Sequence, residues 1–238
     1  MKILVVGGSG GIGAAAVRLL RAAGNDVFFT YHADQTKAAE LEKATGAKKI
    51  PYDLSSGDSI VKLIQQITSE KFDGLIYAAA EKFERETLLK MPAKDLLEYI
   101  RKSIDGYYQV SQAFAWSVKN RKSSGSLVNI LSSVVLGLPP AKQAGYVAAK
   151  YALLGLTKCQ AVEFGPYNVR VNSVSPGMTK TKFNSDLSDR FLEIYAETLP
   201  AKRLLTPEEV ARTVCFLLSP EASDMQGNNL TVEGGSSC

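Results

Sequence analysis

Histidine is almost missing from this chain of 238 residues. The one example, His32, argues against a metal centre and against a Ser-His-Asp triad. Cysteine is also scarce. Cys159, Cys215 and Cys238 are odd in number and show no C-x-x-C spacing, which predicts a reducing compartment and no structural zinc. No run of about 18 apolar residues occurs, so no membrane span is expected. The apolar stretch behind Met1 is too short for the core of a signal peptide, and a cytoplasmic location is expected. A strong charge of either sign is lacking too. The net charge of +4 is too small to argue for nucleic acid, and no motif interleaves aromatic with basic residues. There is no Pro/Gly/Ser-rich linker, internal repeat or low-complexity tract.

What remains is the composition of a globular protein, 45% hydrophobic and 22% charged. A chain of this length can bury about 70% of its unfolded surface in one core, so one domain over 1–238 is expected. Short Val/Ile-rich runs at 3–6, 27–31, 49–52, 75–78, 127–131, 169–174 and 230–232 read as strands. Between them, apolar residues recur at helical spacing over 14–23, 60–67, 96–118, 147–164 and 210–218. This alternation predicts an α/β Rossmann fold: a doubly wound parallel sheet of about seven strands with helices on both faces. The polar segment 177–206, between the sixth strand and a helix beginning near Pro207, has the look of a lid with short helices over the substrate.

Two clusters of residues carry chemistry. The first is Gly7-Gly8-Ser9-Gly10-Gly11-Ile12-Gly13, between the first strand and the first helix. Glycines let a backbone approach a pyrophosphate closely, and a helix N-terminus offers it unpaired N–H groups. The second strand ends at Tyr31-His32 with no acid, and Asp34 comes later. An acid there would bind the ribose 2′-hydroxyl of NAD, so its lack favours NADP, with NAD still possible. His32 and Lys37 are candidates to face a 2′-phosphate. The second cluster is Tyr146 and Lys150, four apart on a helix, with Ser133 just past the fifth strand. A lysine near a phenol lowers its pKa, and a tyrosine so tuned can pass a proton to or from a carbonyl oxygen.

With these clusters in place, the sequence resembles the short-chain dehydrogenase/reductase family over essentially its whole length. Further segments in the family's order are Tyr52-Asp53-Leu54, Asp73-Gly74-Leu75, Asn172-Ser173-Val174-Ser175-Pro176-Gly177, Pro207-Glu208-Glu209 and Glu233-Gly234-Gly235. The resemblance implies roles. Tyr146 is the acid/base, Lys150 binds the nicotinamide ribose, and Ser133 holds the substrate carbonyl. Asp53 and Leu54 meet the adenine, and Ala79 lies along the cofactor. Pro176 and Gly177 shape the nicotinamide pocket, with Thr179 and Thr181 close by. The chain departs from the family pattern at Val6, where Thr is usual, and at Tyr77-Ala78-Ala79-Ala80, where Asn-Asn-Ala-Gly is usual. It departs again at Ser103, which stands for an asparagine that holds a proton-relay water.

Within the family the sequence looks most like 3-oxoacyl-acyl-carrier-protein reductases, the ketoreductases of fatty acid or polyketide biosynthesis. That implies reduction of a small-molecule or acyl-thioester carbonyl, with acyl carrier protein as a candidate partner and no membrane or nucleic acid. The basic cluster Lys119, Arg121 and Lys122 could attract such a carrier, or form only a solvated loop. Tyr167 stands where carrier binders often have arginine. A non-catalytic nucleotide-binding relative, and a dehydrogenase of small alcohols or sugars, are the competing readings. A homotetramer is expected. Leu96, Leu97, Ile100, Ile104, Tyr108 and Phe114 on one long helix, and Leu153, Leu154 and Phe164 on the next, offer apolar surface for a four-helix interface.

Overall fold

A computed structural model describes residues 1–235, so Cys238 lies outside the described residues. Seven strands form one sheet: β1 (Lys2–Val6), β2 (Asp26–Tyr31), β3 (Lys48–Pro51), β4 (Gly74–Tyr77), β5 (Gly125–Ile130), β6 (Val169–Pro176) and β7 (Asn229–Val232). Their order is β3-β2-β1-β4-β5-β6-β7, and every pairing is parallel. The helices among the described residues are α1 (Gly11–Ala22), α2 (Gln35–Thr45), α3 (Gly57–Glu70), α4 (Ala93–Arg121), α5 (Ala144–Phe164), α6 (Asp189–Thr198) and α7 (Pro207–Leu218). None of them is long and apolar enough to cross a membrane.

Alternate residues along each strand face opposite sides, so the sheet feeds two cores. Ile3, Val5 and Phe29 pack with α1, α2 and α7. Leu4, Val6, Leu75 and Leu127 pack with α3, α4 and α5. A strand covered on both faces needs apolar residues at consecutive positions, which explains the unbroken Ile-Leu-Val-Val of β1. The chain winds one way from β1 to β3 and the other way from β4 to β7. The strand order therefore reverses between β1 and β4, and the crevice of such a sheet opens there, at the strands' C-terminal ends.

Two helices have no counterpart among the five helical patterns. α2 buries only Ala38 and Leu41, so it has no apolar stripe to read. Its ends define it instead: the Asp34 carboxylate accepts from the Lys37 N–H, and Gly46 closes it at φ 67°. α6 buries no residue and lies in 177–206. The expected four-helix surface also needs correction. Phe114 and Leu153 are buried in the core under the sheet, so their apolar character serves this chain's own packing. The basic cluster is corrected as well: Lys119 and Arg121 lie in the last turn of α4. Arg121 bonds Asp73 and the Phe72 carbonyl, while the Lys119 ammonium sits 4.6 Å from the Trp116 ring centroid and 4.1 Å from that of Tyr167.

Candidate active site

The glycine loop fills the mouth of the crevice. Gly7 has φ 79°, and a Cβ there would lie 2.5 Å from the Ala79 nitrogen, so β1 and the end of β4 approach closely only because the residue is glycine. At Gly13 a Cβ would lie 2.3 Å from the Gly7 carbonyl oxygen. Val6 supplies no hydroxyl, but β2 does: the Gly7 N–H donates to Thr30 Oγ1 at 2.8 Å, and the Ser9 N–H donates to the Thr30 carbonyl. Gly10 caps α1 without a side-chain bond, and the first turn, which includes Ile12, holds no acid. The positive end of the helix therefore stays open toward the crevice. A bare cradle of this kind fits a phosphate-bearing dinucleotide.

The flanks of the loop continue the crevice. His32 follows β2, with Nδ1 3.8 Å from Asp53 Oδ1 beyond β3. Bonds from Ser55, and more weakly the His32 charge, hold the Asp53 carboxyl below its usual range. Asp34 is committed elsewhere, capping α2 and meeting Lys182 Nζ at 3.5 Å. Pro176 and Gly177 end β6, where the Gly177 N–H donates to the Val232 carbonyl. Thr179 is buried and donates to the Gly177 carbonyl. Thr181 lies over the loop, its methyl 2.5 Å from where a Cβ of Gly11 would be.

Tyr146 and Lys150 occupy successive turns of α5, both buried. Lys150 Nζ donates to the Ile130 carbonyl at the end of β5, 2.9 Å away, and burial lowers its pKa to about 8. Its ammonium is 5.7 Å from the Tyr146 ring centroid. The expected lowering of the tyrosine pKa is not what these surroundings give. Burial pushes the Tyr146 hydroxyl up, opposed by a hydrogen bond with Ser132 and by the charge of Arg85. Lys150 is engaged by the Ile130 carbonyl, so burial wins and the Tyr146 phenol holds its proton more firmly than an exposed tyrosine. The serine that meets the tyrosine is Ser132. Ser133 begins the short 3₁₀ turn that follows and is half-buried.

Below Tyr146 lies a small cavity lined by Tyr77, Ala79, Tyr99, Ser103, Lys150 and Leu54, among others. Its interior of about 10 Å³ is the room of one water molecule. Ser103 Oγ is buried there, close to the Tyr99 hydroxyl but without a well-formed hydrogen bond. Tyr77 occupies the position of the absent asparagine. Its hydroxyl lies 3.5 Å from that of Tyr52, in space that exists because α4 has glycine at 106.

Sequence reasoning missed three residues. Phe83, from the loop between β4 and α4, stacks on Tyr146 with ring centroids 4.7 Å apart. Phe183 approaches both rings, at 6.0 Å and 5.8 Å. Arg85 acts on Tyr146 through its charge. An aromatic within a long connection was the only available signal, and it does not say where the connection folds back.

A family model described as enoyl-(acyl carrier protein) reductase matches residues 7–237. The 3-oxoacyl-[acyl-carrier-protein] reductase of Chlamydia pneumoniae is 32% identical over 98% of this chain and 96% of its own length. The chain belongs to the short-chain dehydrogenase/reductase family. Solved members superpose closely. A short chain dehydrogenase/reductase family protein matches with a TM-score of 0.88 and 34% identity, covering 100% of this chain and 97% of the other. BdcA, solved in complex with NADPH, matches at 0.86 and 32%, covering 98% and 93%. As a short-chain dehydrogenase/reductase the protein is an NAD(P)-dependent oxidoreductase.

Proposed function

We propose that this short-chain dehydrogenase/reductase reduces the ketone of a 3-oxoacyl thioester to a hydroxyl, with NADPH as the preferred cofactor. The observation that carries the reading is the protonated Tyr146, held beside the serines that follow β5. A neutral phenol is a proton donor, which is what a carbonyl oxygen needs as it becomes a hydroxyl. The bound nicotinamide supplies the hydride. Gly7, Ser9, Gly10, Gly11, Ile12 and Gly13 hold the dinucleotide phosphates at the open end of α1. Tyr31, His32, Asp53, Leu54 and Ala79 line its adenosine side, and Pro176, Gly177, Thr179 and Thr181 its nicotinamide side. Ser133 and Ser132 orient the substrate carbonyl toward the tyrosine.

Lys150 and Ser103 return the proton. The buried Ser103 hydroxyl and the Lys150 amine border a space for one water, which joins the buried site to a proton source. NADPH is preferred because no acid closes β2 and the Asp34 carboxylate is engaged at the start of α2. The relatives named as acyl-carrier-protein reductases support the thioester, and carrier protein is the natural form of that substrate. The test is oxidation of NADPH and NADH in the presence of acetoacetyl thioesters. Turnover with a kcat/KM higher for NADPH is expected. Binding of NADPH without turnover of any carbonyl would instead make the protein a nucleotide-binding relative.

A further inference from the structure

Tyr146 is only 9% exposed, although it is the residue that must reach substrate. What covers it comes from two distant parts of the chain. Phe83 belongs to the loop between β4 and α4, and Phe183 to the segment between β6 and α6. The loop is fixed on its inner side, where the Tyr99 hydroxyl of α4 donates to the Glu81 carbonyl and its ring meets Phe83 edge-on at 6.4 Å. The segment is tied at its start, where Thr179 bridges to Leu205 and the Asn184 amide donates to the Thr179 carbonyl, while α6 beyond it buries nothing. One polar contact joins the two: Arg85 Nε donates to Asp186 Oδ2 at 2.6 Å, between residues 101 apart in sequence. The same guanidinium lies 5.0 Å from the Phe83 ring centroid.

We propose that Phe83 and Phe183 are the substrate-selecting walls of the site and that Arg85–Asp186 is the clasp that holds them together. The inference rests on the ketoreductase reading for its substrate and on geometry alone for the clasp. Phe83 stacks on Tyr146 at 4.7 Å, and Phe183 lies 6.0 Å from Phe83 and 5.8 Å from Tyr146, so a substrate reaches the tyrosine by displacing these rings. Two phenyl faces accept methylene groups and offer no partner to a hydroxyl. A sugar or polyol would bury unpaired hydroxyls between them, each at a desolvation cost that a methylene does not carry. A chain branched beside the ketone must part the walls further than an unbranched one. The site therefore selects carbonyls flanked by unbranched, apolar carbon.

Two measurements on the full chain test this. Limited trypsin digestion reads the clasp without any substrate, because Lys180 and Lys182 lie in the clasped segment. Asp186→Asn should speed cleavage there by about threefold, the scale of a partly exposed ion pair. An unchanged rate overturns the clasp. The ratio of kcat/KM for an acetoacetyl thioester to that for its 2-methyl analogue reads the walls. Phe83→Ala should lower this ratio about tenfold, mainly by improving the branched substrate, as expected for one methyl in an apolar slot. Phe183→Ala repeats the measurement if the first variant does not fold. An unchanged ratio, or a wild-type preference for a sugar carbonyl, overturns the walls. Reduction of neither thioester overturns both the ketoreductase reading and the selecting role, while the digestion still decides the clasp.

Discussion

At the scale of single residues, the site is governed by what burial does to two ionisable groups. Burial raises the Tyr146 hydroxyl above its ordinary value and outweighs Ser132 and Arg85, so the phenol gives up its proton less readily than an exposed tyrosine. Tyr146→Phe keeps the ring and its stacking on Phe83, so it should fold and bind NADPH as before. It should lose about 10²–10⁴ in kcat, as for removal of a general acid; retention of a tenth of the rate would place the acid elsewhere. Lys150 is displaced in the opposite sense, from an ordinary 10.5 to about 8 in the folded protein. Between these two values the unfolded chain binds more protons than the folded one, so folding stability rises with pH across that window. Urea unfolding at a series of pH values should show wild type gaining stability relative to Lys150→Met from about pH 8 to 10.5. A constant difference between the two would mean that the lysine is not buried as described. The Tyr146–Lys150 pair was legible from its four-residue spacing, and Ser133 from its place after β5. The sign of the tyrosine's shift was not, because it depends on the Ile130 carbonyl that takes up the lysine and on two loops that fold back over the ring.

Among the elements, legibility followed apolar content. The seven strands and the helices α1, α3, α4, α5 and α7 declare themselves because each buries a continuous stripe or run. Their ends lie up to three residues from where the pattern puts them, since caps rather than apolar residues set the boundaries. The first-turn box of α7 is an example: Thr206 Oγ1 accepts from the Glu209 N–H, and the Glu209 side chain accepts from the Thr206 N–H. Thr206→Ala should cost about 1 kcal/mol in chemical denaturation. The fit of α4 against the sheet makes a sharper test. A Cβ at 106 would lie 2.6 Å from the Tyr52 hydroxyl and 3.1 Å from that of Tyr77. Gly106→Ala should therefore destabilise by about 1–3 kcal/mol through overpacking, partly restored by a second change that removes both hydroxyls, Tyr52→Phe with Tyr77→Phe, in the same chain. If the second change gave no relief, the glycine would not be what accommodates the tyrosine. Such pairing explains how the chain departs from the family pattern after β4 and keeps the family's fold. It is invisible in sequence because residues 77 and 106 meet only through the packing of β4 on α4.

For the whole molecule, the surface that stays apolar after folding bears on assembly. With Phe114 and Leu153 accounted for by the core, other side chains on α4 and α5 remain. Leu97 is 65% exposed, Trp116 53%, Tyr151 47% and Val162 77%. Four large apolar side chains on two long neighbouring helices are more than the scattered single residues a monomer carries without consequence. Pairing these helices with those of a second copy would cover them, and β7, the last strand of the sheet among the described residues, offers a second contact. Two different twofold contacts on one chain close into a tetramer. The first contact would also lie on the helix that carries Tyr146 and Lys150, so assembly should steady the site. Light scattering at micromolar concentration should then give about four times 25.7 kDa. Val162→Glu, which places a charge on the most exposed of the four, should lower that mass and, if assembly steadies the site, lower activity in parallel. A wild-type mass near 25.7 kDa would show that this surface is not a homomeric interface.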